Sequence, residues 1–149
     1  MSDLDWIEIS TRFSDARNWW IATSGPAGPH SVPVWGVVID ETLYFYGQPS
    51  AVRSKNLAAD PRLVAHLESG DSVLILHAEA HLTDLPLDSA SVVTSYANKY
   101  SHPIDAEYLP GQPGMAGTLL FAMTPSHAIS WELASSDEWT NRRWQANKS

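Results

Sequence analysis

The stretch from residue 72 to residue 82 constrains the fold more than any other part of the sequence, because its side chains alternate with a period of two. One set is apolar: Leu74, Leu76, Ala78, Ala80 and Leu82. The other set is mixed: Val73, Ile75, His77, Glu79 and His81. This alternation is typical of a half-buried strand, and it does not fit the spacing of a helix. The turn Ser69-Gly70-Asp71 before it predicts a hairpin with an arm at 63–68.

Shorter apolar segments, separated by turn signals, predict the rest of a sheet. The predicted strands are 18–23, 31–39, 43–46, 63–68, 72–82, 117–123 and 128–133, and the predicted helices are 4–16, 51–59 and 87–100. Pro33 lies inside the second strand, which indicates an edge or a bulge, where a missing N–H donor does no harm. Strands joined mostly by sequential hairpins favour an all-β fold, a small antiparallel barrel with helices at its margins. The length is that of a single domain, residues 1–149.

Charge and composition exclude several classes of function. The chain carries 9 basic and 17 acidic residues, a net charge of −8, so neither nucleic acid nor an anionic membrane is an expected partner. It has no cysteine, which excludes thiol catalysis and thiolate metal sites. The acidic start lacks the pattern of a signal peptide, and proline and glycine interrupt the uncharged runs 18–39 and 108–131. The expected location is the cytoplasm.

The segment 47–61 carries the clearest sign of a binding site. Ser50 is placed to cap the helix that follows, and the free N–H groups of a helix start suit a phosphate. Arg53 and Lys55 add positive charge in the first turns, where the helix dipole alone disfavours cations. The alternative is that both side chains are solvated and Ser50 serves only as a cap.

Histidines on the long strand offer a second, metal-based alternative. On one strand face, His77, Glu79 and His81 present ligand types that suit zinc or iron. Alternate side chains of a strand diverge by about 7 Å, which strains a shared ion, so the polar outer face of a strand is the simpler interpretation. Most of the seven tryptophans are expected in the core.

Four segments, in order, resemble the FMN-binding split-barrel superfamily, which includes pyridoxamine 5′-phosphate oxidase-like proteins and the flavin/deazaflavin oxidoreductases. They are the strand–turn–strand 20–36 ending in Pro-Val-Trp, the basic helix with Asp-Pro at 53–61, Tyr-Ala-Asn-Lys-Tyr at 96–100, and Trp131 with the tail Thr-Asn-Arg-Arg-Trp at 140–144. Two features depart from the family pattern. Arg53 precedes Lys55, whereas Lys then Arg is the common order, and Asn141 shifts the tail match by one position.

The resemblance implies an antiparallel Greek-key split β-barrel that forms a homodimer, with the cofactor in the groove between subunits. It implies that the strand over 32–36 lines the cofactor ring, that the helix over 50–56 holds the phosphate, and that the tail closes over the site. The residues matched to this cofactor site are Val32, Pro33, Val34, Trp35, Ser50, Arg53, Ser54, Lys55, Asn56, Lys99, Tyr100, Arg143 and Trp144.

The resemblance also implies an oxidoreductase that transfers a hydride between the cofactor ring and a small unsaturated or heteroaromatic substrate. The deazaflavin F420 is narrowly favoured over FMN by the short, tryptophan-rich chain, although the negative net charge suits FMN better; haem is a distant third. No side chain stands out as a general acid, and solvent, Tyr100 or His30 could supply a proton. The alternatives are a non-catalytic FMN- or F420-binding carrier and a His/Glu metal enzyme.

Overall fold

Antiparallel strands and three α-helices account for most of residues 3–133 and 141–147, the part of the chain that the computed structural model describes. The strands are β1 Trp19–Gly25, β2 Gly28–Val34, β3 Gly36–Ile39, β4 Thr42–Gly47, β5 Arg62–His66, β6 Ser72–Leu82, β7 Leu119–Glu132 and β8 Arg142–Gln145. The helices are α1 Trp6–Asp15, α2 Val52–Ala59 and α3 Ala90–Lys99. Two short 3₁₀ turns, Pro103–Tyr108 and Pro113–Met115, connect α3 to β7.

A single residue links the two ends of the sheet along the chain. Its strand order is β2-β1-β5-β6-β7-β4-β3, and β8 pairs with β7 outside this path. The two ends of the path, β2 and β3, are separated along the chain only by Trp35. One bent segment therefore links both ends of the sheet, and the strands form the antiparallel barrel that the sequential hairpins predicted.

The apolar set on β6 faces the barrel interior. Leu74, Leu76, Ala78 and Ala80 are buried there, as the period of two predicts. Leu82, at the last position of β6, belongs to the same set but is 60% exposed. Val73 is buried on the opposite face of the strand, where Trp131 of β7 is its cross-strand partner.

Helices α1 and α3 pack on different parts of the barrel. α1 contributes Ile9 and Phe13 to the same buried cluster as the inward residues of the strands. α3 packs Val92 and Tyr96 in a second cluster that also contains Val37 of β3. The outer face of β3 and its neighbours is thus covered, and the connection after α3 is held beside Trp35.

Three strand predictions were wrong in detail. The strand expected at 31–39 breaks at Trp35, because β2 pairs with β1 while β3 pairs with β4. The two strands expected at 117–123 and 128–133 are one strand, β7. Pro125 does not end β7, because it lies next to a register shift opposite His77 and Ala78, where a missing N–H donor is tolerated. β8 was not predicted, and Thr140, the first residue of the tail motif, lies outside the described residues.

The expectation for Pro33 is confirmed. It lies in β2, at one end of the strand order, and β2 pairs only with β1 in the described sheet. Among the described residues, no helix combines the length and the apolar character that a bilayer crossing needs.

Candidate functional site

The first turn of α2 begins without a side-chain cap. Ala51 occupies the cap position and no side chain bonds to the turn, so the expectation that Ser50 caps the helix was wrong. The reason is a preceding turn in which the Ala51 N–H donates to the Gln48 carbonyl oxygen at 3.0 Å. Ser50 is exposed within that turn. The first N–H groups of α2 therefore remain free donors with the positive end of the helix dipole behind them.

Two side chains of this turn, half-buried Arg53 and buried Ser54, also keep unused donors. Nε of Arg53 and Oγ of Ser54 are enclosed, and neither has a hydrogen-bond partner among the described residues. The Arg53 Nη2 donates only to the Tyr46 carbonyl oxygen, at 3.3 Å, and burial lowers the pKa of Arg53. A guanidinium buried without a carboxylate is costly, so this arrangement favours an anion beside it.

Gly47 at the end of β4 makes this turn possible. A Cβ atom there would lie 2.7 Å from Ser54 Oγ and 3.3 Å from Arg53 Nε. A larger residue would have to push at least one of the two side chains away. The absence of a side chain at Gly47 thus keeps both donors close to the backbone of β4.

A cavity of about 290 Å³ opens beside Arg53. Its walls are formed by Asn18, Pro33, Val34, Trp35, Tyr46, Arg53 and Tyr108. Burial raises the pKa of Tyr46 to about 12, with a smaller opposing influence from Arg53. The cavity therefore joins one half-buried cation to a largely apolar and aromatic wall, an arrangement that suits a ligand with a flat ring and an anionic end.

Trp35, the residue between β2 and β3, is held by contacts with Tyr100 and Arg17. Its ring lies parallel to that of Tyr100, with centroids 4.4 Å apart, and the guanidinium carbon of Arg17 lies 5.0 Å from the Trp35 ring. Asp105, which is 2% exposed, accepts two hydrogen bonds from Arg17. The indole thus has one orientation at the cavity wall, fixed by aromatic and cation–π contacts.

Lys99 and Tyr100, two of the predicted site residues, lie behind this wall and hold the backbone after Trp35. Tyr100 accepts a hydrogen bond from the Gly36 N–H at 2.9 Å and donates to the Arg17 carbonyl oxygen at 2.7 Å. The Lys99 ammonium donates to the Gly36 carbonyl oxygen at 2.6 Å. Neither lines the Arg53 cavity, so their contribution is to position Trp35.

The remaining predicted residues of α2 point elsewhere. Asn56 is buried and donates from Nδ2 to Thr23 Oγ1 at 3.0 Å, which ties α2 to β1. Lys55 is exposed to solvent. Of the two cations in the predicted motif, only Arg53 lies at the cavity.

Tail residues do not reach the cavity within one chain. Trp144 of β8 packs against Trp6 of α1, with ring centroids 5.1 Å apart, and both belong to the wall of a separate cavity. Arg143 is exposed and lies opposite Ile129. Val32 is half-buried and packs on the barrel core.

Solved structures with the same architecture match most of the chain. A conserved hypothetical protein of Mycobacterium tuberculosis matches with a TM-score of 0.68 at 23% identity, over 87% of this chain and 86% of that one. A pyridoxamine 5′-phosphate oxidase-like protein of Listeria innocua matches with a TM-score of 0.62 at 12% identity, over 84% and 96%. An F420 reductase matches with a TM-score of 0.61 at 17% identity, over 78% and 93%.

The chain has the pyridoxamine 5′-phosphate oxidase-like split-barrel fold. This confirms the fold that the resemblance implied. Haem-binding and haem-storage proteins share the same split barrel, so at these identities the likeness shows the fold alone. No family model and no curated sequence matches the chain.

The structure does not support the metal site of His77, Glu79 and His81 that the sequence offered as an alternative. Within the described residues no group of three or more His, Asp or Glu side chains is arranged to hold a metal. Glu79 and His81 form an ion-pair contact of 3.8 Å and both side chains are more than half exposed. His77 instead lies beside His127 of β7.

Sequence reasoning missed four contributors to the split-barrel cavity and its support: Asn18, Tyr46, Tyr108 and Asp105. Tyr46 could have been found from the sequence, because alternation along β4 places Tyr46 on the outer face while Phe45 is buried. Tyr108 and Asp105 had none, because only the tertiary fold brings the connection after α3 beside Trp35.

Proposed function

We propose that this chain is an oxidoreductase that binds a phosphate-bearing flavin or deazaflavin, with the phosphate at the first turn of α2. The observation that carries the proposal is the pair of buried, unpartnered donors on Arg53 and Ser54, next to uncapped helix N–H groups. A phosphate group would accept hydrogen bonds from these donors and would neutralise the half-buried guanidinium of Arg53.

Ion pairing elsewhere in the chain makes Arg53 distinctive. Arg17 is paired with Asp105, Arg62 with Asp60 and Arg142 with Glu8. In the described residues no carboxylate lies within ion-pair distance of Arg53, although the chain is strongly acidic. This supports a role in binding an external anion.

The cavity wall supports a flat ring next to that anion. When bound, a flavin or deazaflavin ring supplies hydride transfer to or from a small unsaturated or heteroaromatic substrate. The chain's own residues would orient the ring. Trp35 would do so through its fixed indole plane, and Pro33 and Val34 through the backbone of β2. Tyr108 would exclude water from the outer side of the cavity.

The choice between F420 and FMN depends on basic residues. F420 carries a polyglutamate tail, which basic residues would have to bind. Arg17 and Arg142 are each already paired with a carboxylate. Lys55 and Arg143 are exposed. The ion pairs weaken the sequence-based preference for F420, so both cofactors belong in the test.

A second copy of the chain is part of this proposal. The outer face of β1, β5, β6 and β7 carries half-buried Trp20, Val64, Ile75, Ile129 and Trp131 on adjacent strands, beside His66 and His77. Burial of such a face is favourable. We propose that it is the homodimer contact and that the tail of one subunit, with Arg143 and Trp144, reaches the cofactor of the other.

One observation favours the carrier alternative over an enzyme. None of the residues that line the cavity is an acid or a histidine, and burial holds the pKa of Tyr46 at about 12. Protonation of a substrate would have to come from solvent. Cofactor binding without oxidation of the reduced form by a broad panel of acceptors would identify a carrier.

The test is a fluorescence titration of the untagged protein with FMN and with F420, side by side. The variant Arg53→Ala is expected to bind about 10- to 100-fold more weakly, because it loses charge-assisted hydrogen bonds to the phosphate. Lys55→Ala, on the same helix but exposed, and Arg62→Ala, an exposed arginine outside the cavity, are matched controls with near wild-type affinity.

Two results would contradict the assignment. If Arg53→Ala binds the cofactor with wild-type affinity, the phosphate does not bind at the first turn of α2. Equal losses in Arg53→Ala and Arg62→Ala would show that only net charge matters. Riboflavin, which lacks the phosphate, is expected to bind both wild type and Arg53→Ala equally weakly.

A further inference from the structure

Asn18, the residue that precedes β1, lines the Arg53 cavity. It is half-buried, and in the part of the chain that the structure describes no hydrogen bond involves its side-chain amide. A carboxamide carries a donor and an acceptor side by side. Asn18 can therefore offer a ligand in this cavity two hydrogen bonds at once.

Strand alternation places the Asn18 side chain on the outer face of the barrel. Trp19, the next residue, is fully buried in the barrel core, and successive side chains of a strand point to opposite faces. On the outer face, Trp35 and Tyr46 pack against the apolar cluster beneath α3. Asn18, Trp35 and Tyr46 thus line the cavity from the same side of the sheet.

The strand registers place Asn18 and Arg53 on opposite sides of Trp35. Extended by one residue, the pairing of β1 with β2 places Asn18 opposite Trp35. Extended in the same way, the pairing of β3 with β4 places Tyr46 opposite Trp35 from the other side. The Tyr46 carbonyl oxygen accepts a hydrogen bond from Arg53. A ligand that crosses Trp35 therefore meets a cation at one end and an amide at the other.

We propose that Asn18 recognises the pyrimidine edge of the bound flavin or deazaflavin ring, an inference that rests on the proposed function. This edge is an imide in both FMN and F420, with a ring N–H between two carbonyl groups. The Asn18 side-chain oxygen accepts a hydrogen bond from that N–H, and its NH₂ group donates to a neighbouring carbonyl oxygen. Together with the phosphate at Arg53, this contact fixes the direction of the ring across Trp35.

The test is a fluorescence titration with FMN and with 3-methyl-FMN, in which a methyl group replaces the imide proton. Asn18→Ala is expected to bind FMN about tenfold more weakly than wild type, because it loses the hydrogen bonds to the imide. Wild type should lose a similar factor with 3-methyl-FMN, whereas Asn18→Ala should bind both flavins equally. If F420 is the cofactor that binds, F420 and its 3-methyl derivative take the place of the two flavins.

Two controls separate this contact from the rest of the site. Asn98→Ala, at an exposed position of α3, should keep both the wild-type affinity and the preference for FMN over 3-methyl-FMN. Arg53→Ala should bind both flavins more weakly by the same factor, because its contact is to the phosphate. Asn18→Ala should melt close to the wild-type temperature, since its amide has no partner in the described residues.

The imide proton gives a readout that is independent of affinity. In the wild-type complex with ¹⁵N-labelled FMN, this proton should exchange with solvent more slowly than in the Asn18→Ala complex. Wild-type FMN affinity in Asn18→Ala, or equal binding of FMN and 3-methyl-FMN by wild type, would overturn the role of Asn18 and leave the phosphate assignment to the Arg53→Ala result. A wild type that binds neither FMN nor F420 would overturn the proposed function as well.

Discussion

Arg53 shows how one side chain acquires a binding role from its surroundings. The same residue type is half-exposed and paired with Asp105 at position 17, where it braces Trp35 by stacking. At position 53 it is enclosed beside Ser54, without a carboxylate among the described residues, and its pKa is lowered by burial. Burial without an internal counter-ion is what makes an external anion favourable there.

Tyr100 provides a prediction about the support of Trp35. In Tyr100→Phe the buried Gly36 N–H loses its acceptor, so we expect the free energy of unfolding to fall by about 1–3 kcal/mol. Tyr44→Phe is the matched control, because the Tyr44 hydroxyl bonds to no other described residue and a change within about 0.5 kcal/mol is expected. Urea unfolding of both variants makes the comparison, and equal effects would show that Gly36 does not depend on Tyr100.

Lys99 provides a prediction about pH. Burial lowers the pKa of Lys99 from 10.5 to about 8. Between these values the unfolded chain binds a proton that the folded chain has released, so the contribution of Lys99 to stability rises with pH. Relative to Lys99→Met, the wild type should therefore gain stability in urea unfolding between about pH 8 and about pH 10. A constant difference over that range would mean that Lys99 keeps its ordinary pKa.

At the scale of elements, the bend between β2 and β3 organises the cavity. Trp35 lies at the bend, β2 brings Pro33 and Val34, and the end of β4 brings Tyr46. The first turn of α2 then follows β4 closely because Gly47 admits Ser54 and Arg53. Backbone placement by rigid strands, rather than a mobile loop, thus sets the distances in the site.

The contact between β8 and α1 provides a prediction at this scale. Arg142 donates two hydrogen bonds to Glu8, one of them at 2.9 Å, and this pairing lowers the pKa of Glu8. We expect Arg142→Met to destabilise the chain by only about 0.5–1 kcal/mol, since the pair is partly exposed.

The pH dependence of the stability lost in Arg142→Met follows from the direction of the Glu8 pKa shift. A lowered carboxyl pKa contributes stability above the ordinary value of 4.5, and this is lost as the pH falls through the folded-state value. Unfolding measured at neutral and at acid pH should show the difference between wild type and Arg142→Met disappearing in acid. A difference that persists in acid would assign the effect to packing of the Arg142 stem.

For the whole molecule, the distribution of apolar surface indicates how the barrel is used. α3 covers the outer face of β3, whereas the outer face of β1, β5, β6 and β7 retains half-buried tryptophan and isoleucine side chains. An apolar sheet face on an acidic chain is the expected place for a second copy, where association buries it.

The dimer prediction uses Ile129, which lies on that face in β7. We expect the wild type to sediment at twice the chain mass and Ile129→Lys to sediment as a monomer, because burying an unpaired ammonium is costly. Ile7→Lys, on an exposed position of α1, is the control and should remain dimeric. A monomeric wild type, or a dimeric Ile129→Lys, would place the proposed contact elsewhere.

Much of the fold was predictable from local patterns. Alternation on β6, turn residues and helix periodicity each depend on neighbours along the chain, and they predicted an antiparallel barrel with peripheral helices. They failed where tertiary pairing overrides a local signal. Pro125 reads as a strand end but lies at a bulge inside β7, and 31–39 reads as one strand but bends at Trp35 to pair with two partners.

The sequence by itself determined the fold class and pointed to the α2 start, since helix starts and basic residues are visible locally. Only the tertiary structure decided which cation is enclosed. Arg53 lies in the cavity and Lys55 points to solvent because α2 packs one face on the barrel through Asn56 and Leu57. The pairing of His77 with His127 was likewise decided by register between strands distant in sequence, which no local pattern records.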